Sequence, residues 1–599
     1  MNSLKISKVK GRAMLYWVGK KPIETVQSYP AQLIETVGAK HPLATPSFEA
    51  LNKNWSNLLF HGDNKEVLST LLVNGFRGRV DLIYIDPPFD SGADYVRKVE
   101  LRGTKEKLTG EEQTLIEQTQ YSDIWANDNY LQFMYERLVL LRELLSEEGS
   151  IYLHCDWRKS HLLRILLDEV FGSTNFINEV IWENQGSWVE TDKKFPNRHN
   201  SIFVYGKSPS TIFNRLFEAD FSRSVNYQRW SGYIVDDKIY GNNYPSQDSR
   251  FDTYLKKFID ENERDPAGND VIVDFKGEVV GSIWYIKTVD PKSKENTSYP
   301  TQKPKELLDR IIKASSNKDS IVLDCFIGSG TTAAAAQELG RRWIGADINK
   351  GAIQTTMKRF QSPSVKQNDT SAGILHYRVN NYDFQEMSGL REIIIEKYGI
   401  EPVKTDSFFD GIVGDHLVKI AELNKPLARL DLQLVKDELK NRPEEERDIL
   451  LVGSGIELGV EADLADYNRL RPVNKITAKD IQQDGIIVND PAEADVTIEK
   501  KNKKVKIKIK NYISPTIIKR LDLDRSIFGE YIKDFRSQID VALIDTNYDG
   551  KTFNIVHSDV PEKKQDLVNG EYELDLPQKD SNVAVKIIDM LGEETLIIG

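Results

Sequence analysis

The chain has 599 residues, room for roughly three or four domains, and its 40% hydrophobic and 29% charged composition predicts a globular protein with sizeable buried cores. No apolar run approaches the ~18 residues of a membrane span, and no apolar h-region follows the basic N-terminus. Two lone cysteines, Cys155 and Cys325, argue against a disulfide framework or a C-x-x-C zinc site, so a cytoplasmic protein without membrane association is expected. A net charge of −12 gives no global sign of nucleic-acid binding; such a role needs local basic patches.

Residues 1–54 read as an N-terminal extension without visible chemistry. Asn57 to Asp63 (N-L-L-F-H-G-D) reads as a short strand, followed by helical spacing through Val67, Leu68, Leu71 and Leu72. An acid at the C-terminal end of a strand faces the ligand edge of an α/β sheet. Asp63 is equally suited to cap the helix, and the two roles are compatible.

Val80 to Phe89 (V-D-L-I-Y-I-D-P-P-F) is a hydrophobic strand that runs straight into Asp-Pro-Pro-Phe. The two prolines fix φ and leave their carbonyls free. The loop therefore offers the Asp86 carboxylate, the bare carbonyls of Pro87 and Pro88, and the aromatic face of Phe89. That set suits a flat ligand carrying an amine, which donates to Asp86 and a carbonyl while its ring stacks on Phe89. The plainer alternative is a turn that simply ends the strand.

Residues 91–128 are polar and are expected to form a loop. Tyr130 to Leu145 carries a helical apolar stripe, Gly149 is expected to end it, Ser150 to Cys155 is a strand and Ser160 to Val170 a helix. His154 reads more readily as structural than catalytic. Glu179–Trp182 and Ser201–Tyr205 are two more strands, and the alternation from 57 to 205 predicts a doubly wound sheet.

From 208 to 295 that rhythm is lost. Tyr227, Arg229, Trp230, Tyr233, Tyr240, Asn242, Asn243, Tyr244, Gln247 and Arg250 crowd the segment, preceded by Asn184, Gln185, Trp188, Lys193, Lys194, Arg198 and His199. Arg, Asn and Gln read base edges and aromatics stack or wedge. An irregular lobe of ordinary composition is the other reading.

Tyr299 to Pro304 (Y-P-T-Q-K-P) then opens a helix through Leu307, Leu308, Ile311 and Ile312. Ile321–Leu323 is a strand, Asp324 to Thr332 (D-C-F-I-G-S-G-T-T) a glycine loop, and Ala333–Ala336 the start of a helix. A glycine loop at a helix N-terminus commonly holds a nucleotide. The strand Trp343–Asp347 ends in an acid about 20 residues past the glycines, where a Rossmann-like unit carries the carboxylate for ribose hydroxyls. No G-K-[ST] follows the glycines, which excludes a Walker A loop. Beyond residue 390, Val452 to Gly455 reads as a turn. Residues 496–511 read as a hairpin around Lys501-Asn502-Lys503, with Lys504, Lys506, Lys508 and Lys510 on one face. Those lysines either track phosphates or blunt an edge strand.

Asp86-Pro87-Pro88-Phe89, Thr301-Gln302-Lys303-Pro304 and Asp324-x-Phe326-x-Gly328-Ser329-Gly330-Thr331-Thr332, in that order, resemble the β-class amino-methyltransferases of DNA. The resemblance covers roughly residues 55–362. The flanks look like the modification (Mod) subunit of Type III restriction-modification systems. The implied fold is a doubly wound, Rossmann-like α/β methyltransferase sheet at 55–207 and 296–362. It comes with an inserted target-recognition lobe at 208–295, a middle α/β region at 363–495 and a β-rich C-terminal domain at 496–599.

The resemblance implies S-adenosyl-L-methionine as cofactor and no metal. The loop carrying Asp324, Phe326, Gly328, Ser329, Gly330 and Thr331 would cradle its methionine part with Thr301, Gln302 and Lys303. Asp347 would take the ribose hydroxyls and Asp63 the adenine amine. Asp86, Pro87, Pro88 and Phe89 would receive a base flipped from duplex DNA. The family usually has Tyr at the position of Phe89, which keeps the stacking face and loses only the hydroxyl. Aspartate as the first residue favours adenine N6 over cytosine N4. Cytosine N4 methylation and a purely DNA-recognising subunit for a helicase-nuclease partner are the alternatives. A protein-glutamine or RNA methyltransferase fits less well, because such enzymes typically carry Asn before the prolines and lack the lobe. Duplex DNA, a restriction subunit and a second copy of the chain are the implied partners.

Overall fold

A computed structural model describes residues 3–7, 14–17, 20–27, 29–89, 94–102, 115–122, 129–183, 195–218, 225–361, 372–379, 390–403, 406, 408–421, 427, 429–453, 456, 460–470, 472–481, 492–520, 532, 534–563 and 565–599. Asn184, Gln185, Trp188, Lys193, Lys194, Ser454 and Gly455, singled out above, lie outside them. Among the described residues no helix is long and apolar enough to cross a membrane.

The architecture centres on an eleven-stranded sheet. In spatial order its strands are Ile283–Trp284, Phe176–Glu183, His199–Gly206, Leu145–Cys155, Val80–Ile85, Ile321–Asp324, Arg342–Asp347, Asn57–His61, Ile374–Val379, Ala31–Val37 and Phe553–Ile555. From Leu145–Cys155 to Ile374–Val379 neighbouring strands are parallel. His199–Gly206 and Ala31–Val37 flank that block in the antiparallel sense. Parallel strands covered on both faces need continuous apolar runs, and Asn57–His61 and Ile321–Asp324 are buried throughout. Leu58, Phe60, Ile83 and Ile85 point into one core with helices Asn64–Leu71, Asn129–Leu144 and Ser160–Phe171. Leu59, Leu82 and Tyr84 point into the other, with helices Lys305–Ser315, Thr331–Glu338 and Lys350–Gln361. The alternation is the period of two that a strand imposes.

The centre of the sheet is where the chain crosses over. Val80–Ile85 and Ile321–Asp324 pair directly, Leu82 opposite Val322 and Ile83 opposite Leu323. Asp81, 240 residues from Ile321 in the chain, accepts that residue's N–H at 2.9 Å and so pins the junction.

Several expectations change. The helix from 129 ends at Leu144, and the following strand begins at Leu145, ahead of Gly149. Gly149 sits inside the strand, where a Cβ would meet the Asp81 carbonyl at 2.9 Å. Within 91–128, Asp94–Glu100 and Leu115–Ser122 form an antiparallel pair in place of the expected loop. Ala31–Val37, from the segment read as an extension, is a strand of the main sheet and carries Phe553–Ile555 beside it. Buried Lys586 pairs there with buried Glu35, which also takes His376 Nδ1 at 2.9 Å. The regions flanking the sheet on either side in the chain thus meet on it.

Between residues 208 and 295 lie two two-stranded ribbons, and one of them, Lys238–Tyr240 with Val271–Asp274, contributes to a small core of Trp230, Ile239, Phe251 and Val273. Trp230, offered above as a base-stacking residue, is 1% exposed and packs edge-on against Phe251. Arg229, Tyr233, Asn242, Asn243, Gln247 and Arg250 remain exposed. Residues 390–481 form a separate five-stranded sheet with its own helices. The C-terminal hairpin Glu493–Lys501/Lys504–Ile513 turns at Asn502 and Lys503, both in the left-handed region. Its second strand is central, flanked on the other side by Glu571–Asp575, so it is no edge. Lys504, Lys506 and Lys508 lie against Glu573 and Glu571 at 3.0, 3.7 and 2.6 Å. Cross-strand charge pairing therefore engages these three lysines on that face.

Candidate active site

Four neighbouring parallel strands end in a row at one edge of the sheet. Their registers place Asp324 opposite Gly345 and Asp347 opposite His61, with Val80–Ile85 on the other side of Ile321–Asp324. Asp86, Asp324, Asp347 and Asp63 follow from these four strand ends. This is the carboxyl edge at a crossover, where open α/β sheets bind ligands. They border one cavity of about 300 Å³. Asp63, Asp86, Pro87, Pro88, Phe89, Thr301, Gln302, Lys303, Asp324, Phe326, Gly328, Ser329, Thr331 and Asp347 all line it; Gly330 alone of the expected residues does not.

Gly330 acts on the backbone instead. Its φ is +76° and that of Gly328 +50°, both in the left-handed region. A Cβ on Gly330 would lie 2.7 Å from Thr356 Oγ1, and one on Gly328 3.3 Å from the Tyr299 ring. Asp324 ties the loop shut, accepting the Phe326 N–H at 3.0 Å and the Thr332 hydroxyl at 2.6 Å. Burial pushes its carboxyl up to about 7, Asp86 and Asp347 adding to the rise while those two hydrogen bonds oppose it. Asp347 accepts the N–H groups of Gly328 and Asn349, each at 2.9 Å, and burial raises its pKa as well. The loop then runs into the N-terminus of helix Thr331–Glu338.

Asp63 caps helix Asn64–Leu71 through the Lys65 N–H at 2.7 Å. It also takes the guanidinium of buried Arg137 at 2.8 and 3.0 Å. The cap and the position on the cavity edge, both expected from the sequence, coexist. The guanidinium also lies 3.4 Å from the Phe133 ring centroid, and Phe133 faces Phe326 across 6.1 Å between centroids. Phe133 and Arg137 escaped the sequence reading because a helical apolar stripe looks like core, and a single Arg on it gives no signal of its own.

In the Thr301–Lys303 segment, Thr301 sits at φ +61°, a strained conformation for a β-branched residue. The Gln302 side chain is spent locally, accepting from Thr297 N–H and Oγ1 at 2.9 and 2.7 Å and donating to the Glu295 carbonyl at 2.8 Å. It shapes the turn that presents Lys303. The Lys303 ammonium meets Asp86 Oδ2 and the Thr301 carbonyl at 3.1 Å, so it lies on the acid of the earlier half of the site. The other Asp86 oxygen, Oδ1, is buried and has no hydrogen-bond donor. His154 Nδ1 lies 3.4 Å from it.

The lining carries four aspartates against one cation, Lys303, with buried Arg137 paired to Asp63 behind it, which favours a ligand with positive charge. Left-handed glycines leave room for a close backbone approach, Phe133 and Phe326 give the cavity an apolar aromatic wall, and Asp86 Oδ1 awaits a donor. Those features fit a cationic nucleoside in one half and an amine-bearing base in the other. Among the described residues no group of three His, Cys, Asp or Glu could hold a metal ion.

Residues 80–358 match the family model for DNA methylase. The chain is 28% identical over 349 residues to the Type II methyltransferase M.EcaI of Enterobacter cloacae, covering 51% of this chain and 69% of that one. It is 27% identical over 412 residues to the Mod subunit of the Type III restriction-modification enzyme EcoPI of Escherichia phage P1, covering 55% and 62%. With the DNA adenine methyltransferase YhdJ of Escherichia coli (strain K12) it shares 25% identity over 311 residues, 52% of this chain and 85% of that one. The aligned part spans only 51% and 31% of two further Type III Mod subunits, StyLTI and EcoP15I. Among solved structures, the M1.HpyAVI–SAM complex is 18% identical, with a TM-score of 0.29 over 51% of this chain.

Proposed function

We propose that this chain, whose residues 80–358 match the DNA methylase family model, transfers a methyl group from S-adenosyl-L-methionine to the N6 amine of an adenine flipped out of duplex DNA. It would do so as the modification and recognition subunit of a Type III-like restriction-modification system. The observation that carries the reading is Asp86 Oδ1, a buried acceptor without a donor in the same cavity as the Gly328–Gly330 loop. A buried acceptor left bare is costly and calls for a partner.

The cofactor, when bound, supplies an electrophilic sulfonium methyl. The Phe326–Thr331 loop would hold its methionine end, Asp347 its ribose and Asp63 its base, beside the Phe133 and Phe326 rings that line the cavity. Asp86 and the Pro87 carbonyl would take the two N–H groups of the adenine amine. An aryl amine is a poor nucleophile because its lone pair is delocalised into the ring; two acceptors on its hydrogens localise that pair. Phe89 would stack on the base, and Asp86 would accept the proton that the methylated amine sheds. Positioning and fixed electrostatics supply most of the acceleration in such a site. The exposed Arg, Asn and Gln residues of the 225–250 lobe face the task of reading bases.

The test is Asp86→Ala. Methyl transfer to unmethylated duplex DNA should vanish, while cofactor affinity measured by calorimetry stays within a few-fold. A variant that still methylates DNA at the parent rate would sink the assignment. Digestion of the methylated product to nucleosides identifies the base.

A further inference from the structure

His154 is the penultimate residue of strand Leu145–Cys155, one residue past the pair Ile85–Leu153, and so comes level with Asp86. Its side chain is wholly buried, and its edges are occupied. Nδ1 lies 3.1 Å from Tyr84 Oη and 3.4 Å from Asp86 Oδ1; Nε2 lies 3.0 Å from the Asn200 amide nitrogen. Trp182 packs edge-on at 5.4 Å and Phe89 is 5.7 Å away, between centroids. An imidazole enclosed in this way is costly unless its nitrogens are used.

The orientation assigned to the Asn200 amide makes it the donor to Nε2, which puts the single ring proton on Nδ1, towards Tyr84 and Asp86. Burial drives the imidazole down to about 3, with Asp86 opposing and Lys303 adding to the fall, so the ring is neutral near pH 7 and keeps one N–H to give. Opposite it stands the Asp86 oxygen that lacks a donor.

We propose that His154 is a positioning residue for methyl transfer: its Nδ1–H closes onto Asp86 Oδ1 and aims that carboxylate at the target amine, while Asn200 sets the tautomer. The proposal rests on the reading of Asp86 as the acceptor of the amine. Hydrogen bonds of this kind are often long in free enzymes and tighten when substrate is bound.

The full chain, tritiated S-adenosylmethionine and genomic DNA from a methylation-deficient host suffice for the test. His154→Leu removes both nitrogens at similar volume, and His154→Asn restores a donor near the Nδ1 position. The Leu variant should lose roughly 10- to 100-fold in kcat, the size of one charge-assisted hydrogen bond. Its cofactor KM and Kd should stay within about twofold, and the Asn variant should recover most of the rate. Asn200→Ala, at a half-buried position, frees the tautomer without emptying the core, and should lower kcat several-fold even if His154→Leu fails to fold. Wild-type kcat in His154→Leu or in Asn200→Ala overturns the proposal. So do equal losses in the Leu and Asn variants accompanied by weaker cofactor binding and a lower Tm, which mark a core residue. A wild-type chain that transfers no methyl to this DNA fails the methyltransferase reading itself, and the proposal with it.

Discussion

Lys303 sets its ammonium on the carboxylate of Asp86, 217 residues earlier in the chain. The loop expected to serve the cofactor thus reaches across the cavity to the acid expected to serve the base. Both side chains are largely buried, at 12% and 17% exposure. The ammonium occupies Oδ2, while Oδ1 has no hydrogen bond and faces His154 Nδ1 at 3.4 Å.

Replacing Lys303 by Met should therefore cost more in turnover than in cofactor affinity. Leaving a largely buried carboxylate without its cation is worth roughly 2 kcal/mol or more, or at least tenfold in rate. Methyl transfer and calorimetric titration on one preparation separate the two. A loss confined to cofactor affinity would return Lys303 to the cofactor alone.

Asp324 makes a pH-dependent contribution of defined sign. Its folded pKa, about 7, lies above the ordinary aspartate value of 3.8. The folded chain then binds more protons than the unfolded chain between those values, so this group lowers stability as pH rises from about 4 to about 7. Asp324→Asn removes the titration and should flatten the slope of Tm against pH across that window. Parallel slopes in the two proteins would refute the assignment.

Gly330→Ala should destabilise the fold by about 1–3 kcal/mol, because its φ of +76° disfavours an L side chain and the new Cβ meets Thr356 Oγ1 at 2.7 Å. Cofactor affinity should fall along with Tm, since the loop cannot keep its shape. Thermal melting and calorimetry check both, and unchanged cofactor binding would separate the loop from the ligand.

Arg137→Met should leave Asp63 without its counter-ion. The guanidinium is 5% exposed and the carboxylate 28%, so the loss is expected nearer 2 than 5 kcal/mol. Adding Asp63→Asn should recover much of the stability without restoring cofactor affinity. A double variant as unstable as the single one would show that Arg137 acts through its packing on Phe133.

The strand–helix alternation of the central sheet and the two loops that meet at one cavity were legible in the sequence. Strand-to-loop junctions such as Ile85-Asp86-Pro87-Pro88 and Leu323-Asp324 write their geometry locally, through proline and glycine torsions and the strand's period of two. Three things were decided only in the tertiary structure. Lys303 lies on Asp86 because the first and second halves of the chain interleave at the centre of one sheet, and pairing across 217 residues leaves no local trace. Phe133, Arg137 and His154 acquire meaning from the partners they face, which a helical stripe or a strand end does not announce. Trp230 went the other way: an aromatic in a polar segment proved to be the core of its own small lobe, since burial depends on neighbours that only the folded chain assembles.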